Sequence, residues 1–311
     1  TGLMRGATAT EAGCRALEET LWVGAGARRE CLRYIGAGLT APGPNETALV
    51  ILPGDPAGAA YRSVNGRPIV EGAGQGKDTP SPRMRRAAAA ALSAAAGDRP
   101  VILLARPGMQ GSSGHHASDR HSREEVALID AALTALRQRH GFHAFALHGF
   151  SSGGTLVANL LARRGDIRCA VIASAPLDLA AFYRAQDGSV LEEWLMRRRE
   201  LADPMQADVV PSASTEIVVL GDPGDRRVAA SGWRRWVAAM RRKGFRITTE
   251  EVESPAAAAA SGGVPDRHGP SPRGLEQLLA CAVREDPPGR EGAAHAVPRR
   301  LDAAAVLRAL E

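Results

Sequence analysis

Short apolar runs alternate with amphipathic helical patterns along most of the chain. The apolar runs lie at 47–52, 100–105, 143–148, 169–174, 216–220 and 245–252. The helical patterns lie at 84–96, 122–136, 155–164, 230–242 and 275–283. Short, continuously apolar strands that alternate with helices are typical of a mainly parallel sheet covered on both faces. The pattern therefore predicts an α/β fold.

One helix start is well marked. Ser122 and Glu125 have the S-x-x-E spacing of a capping box, in which each residue satisfies a backbone N–H of the other. Val126, Ile129 and Leu133 follow at helical period. We therefore expect a long amphipathic helix that begins at Ser122.

Both ends of the chain and one internal stretch depart from this alternation. The first forty residues predict a helix and then a short strand near 30–35. The stretch 180–210, which contains Trp194 and Arg-rich helical sequence, predicts an insertion placed to cap a site. Residues 284–300 are rich in Pro, Gly and charge, which indicates a linker to a short terminal helix. The predicted segments are 1–44, a main α/β domain over 45–283, and 284–311.

Composition and charge narrow the function classes. The net charge is +5 and the pI about 9.4, but the cations are nearly all Arg and are scattered along the sequence. Nucleic-acid-binding proteins collect such charge on one surface, so we predict no nucleic-acid partner. No run of 18 apolar residues indicates a transmembrane segment. The first residue is Thr1, which leaves open a removed secretion signal or a fragment boundary.

The four cysteines do not indicate a metal site. Cys14, Cys31, Cys169 and Cys281 have no CxxC spacing and no His at ligand spacing. Cys169 lies in an apolar run, which favours a buried small side chain. A disulfide between Cys14 and Cys31 is left open by the sequence.

The clearest chemical motif lies at 149–153, where the sequence GFSSG matches G-x-S-x-G between a predicted strand and a predicted helix. Such a serine occupies a sharp, strained turn, and the positions two before and two after it must be small. Gly149 and Gly153 satisfy that need, and Gly154 allows the helix to approach the sheet. The motif predicts that Ser151 is a nucleophile at the N-terminus of a helix, where negative charge is favoured.

The alternatives for this glycine-rich turn are weaker. Ser152 as nucleophile would place Phe150 and Gly154 at the two small positions. A phosphate-binding loop would need GxxxxGK[ST] or GxGxxG, and the sequence has neither.

A serine hydroxyl is activated by a neighbouring base, usually a histidine, which a carboxylate orients. Two histidines follow the motif along the chain, His268 and His295. His268 precedes a predicted core helix, so its loop is placed to return over Ser151. His295 lies in the predicted linker. We therefore predict His268 as the base.

The acid is expected in the segment 221–228 that follows the strand 216–220. Asp225 is the preferred candidate because it stands three residues before Val228, where the next helical region begins. Asp222, beside Pro223, is the runner-up and is suited to a turn. Asp178, after the preceding strand, is a third option.

Acyl transfer also needs backbone donors for the oxyanion. The first predicted donor is the N–H of Ser152, the residue after the nucleophile. The second should come from the loop at 53–56, in which Pro53 and Pro56 have no N–H. Gly54 and Asp55 remain, and Asp55 is preferred.

The histidines at 115, 116 and 121 raise the question of a metal site. His115 and His116 are adjacent and do not share a helical face, and no carboxylate arrangement completes a ligand set with His121. We predict no metal and place this loop near the mouth of the site.

These segments together resemble the α/β-hydrolase superfamily, especially its prolyl-oligopeptidase-like and dienelactone-hydrolase-like branches. The likeness is carried by LPGD at 52–55, ARPGMQGSSG at 105–114, GFSSGG at 149–154, DRRV at 225–228 and HG at 268–269. It implies the α/β-hydrolase fold over residues 45–283. Similar bacterial proteins are often exported, which implies a periplasmic or secreted location. Two departures are Pro53, where the family usually has His, and one extra residue between Gly221 and Asp225.

The sequence thus predicts a serine hydrolase in which Ser151, His268 and Asp225 cleave an ester through an acyl-enzyme. Small peptides are the second choice of substrate, and no cofactor is implied. The rival interpretation is a non-catalytic protein of the same fold that binds a ligand or partner.

Overall fold

A computed structural model describes most of the chain. The described residues are 6–39, 47–56, 59–65, 67–71, 80–186, 191, 197–208, 215–255, 267–284 and 301–309. Residues 285–300 of the predicted linker, which include His295, lie outside them, as does Trp194.

The described strands form one large sheet and a separate hairpin. They are β1 (Thr20–Ala25), β2 (Arg28–Ala37), β3 (Thr47–Leu52), β4 (Ala60–Val64), β5 (Arg67–Glu71), β6 (Val101–Leu104), β7 (Ala144–Phe150), β8 (Ile167–Ala173), β9 (Glu216–Gly221) and β10 (Ile247–Glu251). The large sheet has the order β1-β2-β6-β3-β7-β8-β9-β10, and β4 pairs with β5. From β6 to β10 in that order all neighbours are parallel, whereas β1, β2 and β6 pair antiparallel. The predicted mainly parallel sheet is confirmed.

Helices cover both faces of the sheet. They are α1 (Glu11–Arg15), α2 (Pro82–Ala95), α3 (His116–Asp119), α4 (Arg123–His140), α5 (Ser152–Leu160), α6 (Leu179–Arg184), α7 (Ala230–Arg242), α8 (Pro272–Arg284) and α9 (Ala303–Arg308), with a 3₁₀ turn at Pro204–Gln206. One face packs on α4, α5 and α7, and the other on α2, α8 and α9. Every residue of β3 is buried, as expected for a strand covered on both sides.

The parallel strands end at one edge of the sheet, which we call the carboxyl edge. Leu52 of β3 pairs with Gly149 of β7, and Phe150 pairs with Ala173 of β8. The loops that follow these strands therefore meet beside Ser151. In open α/β sheets this edge is where ligands bind.

The N-terminal region differs from the prediction. A helix and one short strand were expected, but after α1 the chain forms a hairpin in which Ala25 pairs with Arg28 across a two-residue turn. Gly26 adopts φ +56° there, a conformation that glycine tolerates. The second strand of this hairpin, β2, joins the large sheet by pairing with β6. The division into three segments stays a prediction.

The capping box at Ser122 is only half formed. Ser122 Oγ accepts from the backbone N–H of Glu125 at 3.0 Å, as predicted. The Glu125 carboxylate does not return to Ser122 but accepts from the His121 N–H at 2.8 Å and from Arg106 Nε at 2.8 Å. The helix start is confirmed, and Glu125 serves a different network.

Two disulfides join separate elements. Cys14 and Cys31 are bonded with a Cα–Cα distance of 5.6 Å, which links α1 to β2. Cys169 is buried as predicted, but it is also bonded to Cys281, with a Cα–Cα distance of 6.1 Å. This second bond links β8 to α8.

Within the described part of the chain, no helix combines the length and apolar character needed to cross a bilayer.

Candidate active site

Ser151 lies at a sharp bend between β7 and α5. Its backbone has φ +51° and ψ −125°, a strained conformation for a residue other than glycine. A Cβ on Gly149 would lie 2.3 Å from the Gly153 carbonyl oxygen, and one on Gly153 would lie 2.3 Å from the Leu52 carbonyl oxygen. Both positions therefore require glycine, which is the steric reason for the G-x-S-x-G spacing.

His268 lies within hydrogen-bond distance of Ser151. Its Nε2 is 2.9 Å from Ser151 Oγ, and its Nδ1 is 2.6 Å from Asp225 Oδ2. The His268 residue is 4% exposed. The Phe150 ring lies beside the imidazole with a centroid distance of 5.3 Å. The structure thus brings the three predicted residues into one chain of contacts.

The Asp225 carboxylate is oriented by the backbone of its own loop. Its Oδ1 accepts from the N–H groups of Arg227 at 2.8 Å and Val228 at 2.9 Å. This leaves Oδ2 for the imidazole of His268. A carboxylate held at one oxygen fixes the orientation of the ring that it binds at the other.

The two other candidate acids have different partners. Asp222 accepts from the N–H groups of Gly224 and Ser254, both at 2.7 Å, and pairs with Arg267 at 3.0 Å. Burial raises the pKa of Asp222, but these hydrogen bonds and Arg267 outweigh burial and lower it. Because Arg267 immediately precedes His268, Asp222 fastens the loop that carries His268 to the loop that carries Asp225. Asp178 caps α6 and pairs with Arg235.

The loop after β3 lies directly beside Ser151. A Cβ on Gly54 would be 3.1 Å from Ser151 Cβ and 2.9 Å from the Phe150 ring. Ser152 is the first residue of α5, so its N–H has no acceptor within the helix. The assignment of the Ser152 and Asp55 N–H groups to the oxyanion stays a prediction.

The sequence analysis missed a buried ionic network beneath this loop. Arg106 is fully buried and donates to Glu125 Oε1 at 2.8 Å, to Asp55 Oδ1 at 3.0 Å and to Ser152 Oγ at 2.5 Å. Ser152 Oγ in turn donates to Asp55 Oδ1 at 2.5 Å. Asp55 was predicted only as a backbone donor, yet its side chain links the 53–56 loop to the start of α5. An arginine directly after the apolar run 100–105 was the available signal.

A second layer of polar side chains surrounds Asp55. Arg120 Nη1 lies 3.1 Å from Asp55 Oδ2, and His116 Nε2 lies 3.3 Å from Oδ1. Burial raises the pKa of Asp55, but His116, Arg120 and Arg106 outweigh burial and hold it well below its usual value. The Tyr61 hydroxyl forms a hydrogen bond with His116 Nε2 at 2.9 Å. Asp55 is therefore ionised at neutral pH and anchors the surrounding cations.

The three histidines of the 115–121 region each have different partners. His116 joins the Asp55 network, His121 Nδ1 lies 3.0 Å from the Tyr183 hydroxyl, and His115 Nδ1 accepts from Ser118 N. Burial lowers the pKa of both His116 and His121. Among the residues that the structure describes, no group of three His, Cys, Asp or Glu side chains is arranged to hold a metal.

Comparisons with known proteins agree with this architecture. A family model described as the alpha/beta hydrolase fold matches residues 69–279. Similar solved structures include prolyl oligopeptidase B from Galerina marginata, at 12% identity and TM-score 0.53, covering 94% of this chain and 36% of that one. A puromycin-hydrolyzing peptidase from Mycobacterium tuberculosis has 17% identity and TM-score 0.53, covering 85% and 39%. A lipase/esterase from Lactobacillus plantarum has 16% identity and TM-score 0.48, covering 75% and 88%.

The chain spans well under half the length of these two peptidases, and identities this low show a shared fold alone. No curated protein matches the sequence. The family model, however, covers more than half of the chain and agrees with the sheet order and the helical layers. The chain therefore belongs to the α/β-hydrolase fold family.

Proposed function

We propose that this protein is a serine hydrolase that cleaves an ester through a Ser151–His268–Asp225 triad and an acyl-enzyme intermediate. The observation that carries the proposal is the continuous pair of contacts from Ser151 Oγ to His268 Nε2 at 2.9 Å and from His268 Nδ1 to Asp225 Oδ2 at 2.6 Å. Both distances lie within the range needed for proton transfer between positioned groups.

In the proposed reaction, His268 Nε2 takes the proton of Ser151 Oγ as the oxygen attacks the substrate carbonyl. Asp225 accepts from Nδ1–H, keeps the ring in the tautomer with a free Nε2, and stabilises the imidazolium that forms. His268 then gives the proton to the leaving alcohol, and water attacks the acyl-enzyme in the same way. In both halves of the reaction His268 transfers the proton and Asp225 orients the imidazole.

The oxyanion is assigned to the N–H groups of Ser152 and Asp55. The position of Gly54 against Ser151 supports this assignment, because it brings the 53–55 loop next to the carbon that would be attacked. The positive end of α5 points at the same place. Loss of one such donor typically costs about 2.7 to 4 kcal/mol of transition-state stabilisation.

Esters are preferred over amides as the first substrates to test, and a small peptide is the second choice. The similar structures include peptidases, which is the reason to test a peptide substrate beside the ester. A matched pair, a p-nitrophenyl ester and an aminoacyl p-nitroanilide with the same acyl group, separates the two.

The test compares turnover of wild type, Ser151→Ala and Ser152→Ala. We expect Ser151→Ala to lose nearly all turnover of the preferred substrate. Ser152→Ala keeps its backbone N–H and loses the two hydrogen bonds of its hydroxyl, with Arg106 and Asp55, so a loss of about tenfold or less is expected. Equal rates for wild type and Ser151→Ala would overturn Ser151 as the nucleophile. No turnover of either substrate by wild type would favour a non-catalytic binding protein.

A further inference from the structure

Arg33 and Arg85 lie outside the proposed active site, on two elements that pack against each other, β2 and α2. Arg85, in the first turn of α2, is 6% exposed, and its Nε is enclosed without a hydrogen-bond partner. Arg33 is half-buried on β2. Buried guanidinium groups are normally paired, because an uncompensated buried charge is costly.

Three contacts fix the first turn of α2 against β2. Arg86 pairs with Glu19 at 2.5 Å, and Glu19 Oε1 accepts from the Gly36 N–H at 3.1 Å. The Tyr34 N–H donates to the Glu19 carbonyl oxygen at 2.9 Å. Glu19 therefore ties the helix to residues 34–36 of the strand.

Arg33 extends from the side of the sheet that α2 covers. Alternate residues of a strand share a face, and Ile35 packs with Ala88 and Leu92 of α2. The backbone of Gly111, at φ +94°, closes on the Arg33 stem, since a Cβ there would lie 2.7 Å from Arg33 Cδ. Burial and the charge of Arg33 lower the pKa of Arg85 to about 10, with Glu19 acting in the opposite direction.

The described surroundings leave this pair of charges uncompensated. The nearby carboxylate, Glu19, is already paired with Arg86. No carboxylate among the described residues forms an ion pair or hydrogen bond with Arg33 or Arg85. The first turn of α2 contains no acidic residue, although the positive end of a 14-residue helix favours one. All three features favour an anion at this place.

The pair lies at the carboxyl edge of the sheet, as Ser151 does. The Ala105 N–H, just past the end of β6, donates to the Arg33 carbonyl oxygen at 2.9 Å. In the sheet order, β6 and β3 separate β2 from β7. Three strand spacings amount to about 14 Å, or roughly four residues of an extended chain.

We propose that Arg33 and Arg85 bind an oxyanionic group, a carboxylate or a phosphate, that neither the fold nor the proposed triad accounts for. The planar guanidinium groups present paired N–H donors that match the oxygens of such a group. The anion comes either from an acidic group on an extended substrate or from a free anion.

The first experiment measures thermal unfolding in inorganic phosphate and in sodium chloride at equal ionic strength. It compares wild type, Arg85→Met and Arg33→Met with Arg83→Met, an exposed arginine of the same turn. We expect phosphate to raise the Tm of wild type and Arg83→Met by about 2 to 4 °C more than it raises that of the other two variants. In chloride, Arg85→Met should unfold at or above the wild-type temperature, because it removes an unpaired buried charge.

Equal phosphate effects in all four proteins, or no effect in wild type, would overturn the proposal. Arg33→Met decides the question by itself if Arg85→Met does not fold. Neither measurement involves catalysis, so the result stands even if the proposed hydrolase function fails.

The second experiment identifies the source of the anion and rests on the proposed function. It uses two p-nitrophenyl esters with acyl chains of equal length that reach the pair, one ending in a carboxylate and one in a methyl group. A substrate site predicts that Arg85→Met raises KM about tenfold for the acidic ester alone. Unchanged KM values together with the phosphate effect assign the site to a free anion, whereas no turnover of either ester by wild type contradicts the hydrolase function and leaves the phosphate result intact.

Discussion

Two carboxylates contact residues next to Ser151, and their surroundings are opposite in kind. Asp225 contacts His268, and Asp55 contacts Ser152. Asp225 accepts from an imidazole and from two backbone N–H groups. Asp55 is held by the permanently charged Arg106 and Arg120. A carboxylate whose partner gains and loses a proton can stabilise charge that forms during a reaction. One that is neutralised at all times can only fix geometry.

The difference predicts how each side responds to mutation. Damage on the Asp225 side should affect turnover and spare folding. Damage on the Asp55 side should affect folding first, because Arg106 joins the end of β6, the 53–56 loop, α4 and α5 from a fully buried position.

The largest expected effect is that of Asp225→Asn. The amide can still accept from the loop N–H groups, but it favours the wrong tautomer of His268, so kcat should fall by about 10⁴-fold. The free energy of unfolding should change by less than about 1 kcal/mol. Asp178→Asn is the matched control, because Asn also caps a helix and kcat should be unchanged. A similar loss of kcat in both variants would show that the assignment of Asp225 as the acid is wrong.

Arg106→Met should cost about 3 to 5 kcal/mol of unfolding free energy, since it leaves the carboxylates of Asp55 and Glu125 without their buried partner. Urea denaturation measures this loss. Arg137→Met breaks the exposed pair with Asp166 and should cost less than about 1 kcal/mol. Equal costs for the buried and the exposed arginine would refute the anchoring role of the Arg106 network.

The stability of the fold should depend on pH in two separate ranges, one set by His148 in the core and one by carboxylates such as Asp55. Burial lowers the pKa of His148, in β7 beneath the site, from 6.5 to about 4. The unfolded chain therefore binds a proton that the folded one does not, and stability falls as pH drops from 6.5 towards 4, by about 3 kcal/mol for this group. Asp55, with a lowered pKa, loses its contribution only as pH falls below its unfolded value of 3.8.

Urea midpoints measured between pH 7 and pH 3 test this order. His148→Leu should flatten the profile between pH 6.5 and 4 and leave the loss below 3.8 in place. Buried His116 and His121 act in the same direction, so the slope should be reduced rather than abolished. The exposed His143→Gln should leave the profile unchanged. An unaltered slope in His148→Leu would show that this imidazole is protonated in the folded state.

The same contrast separates what the sequence could and could not predict. The bend at Ser151 is marked by a local motif, and the backbone that a Cβ on Gly149 would meet lies only four residues away, at Gly153. The need for glycine at Gly153 comes from Leu52 on the neighbouring strand, but the same motif includes it. The central strands were likewise predictable from continuous apolar runs. The Arg106 network depends on side chains 19 to 97 residues apart that meet only after the sheet has formed, and no local pattern marks such a meeting. Strand β1 was missed although its first residues, TLWV, favour strands, because the stretch ahead of 30–35 was assigned to a helix.

The central claim is that Ser151 is an activated nucleophile, and covalent labelling tests it most directly. A fluorophosphonate probe is incubated with wild type, His268→Ala and Ser151→Ala, and the modified peptide is mapped by mass spectrometry. We predict that the probe modifies wild type at Ser151, reacts far more slowly with His268→Ala and fails to react with Ser151→Ala. Modification at Ser152 or another residue, or equal labelling of wild type and His268→Ala, would contradict the account.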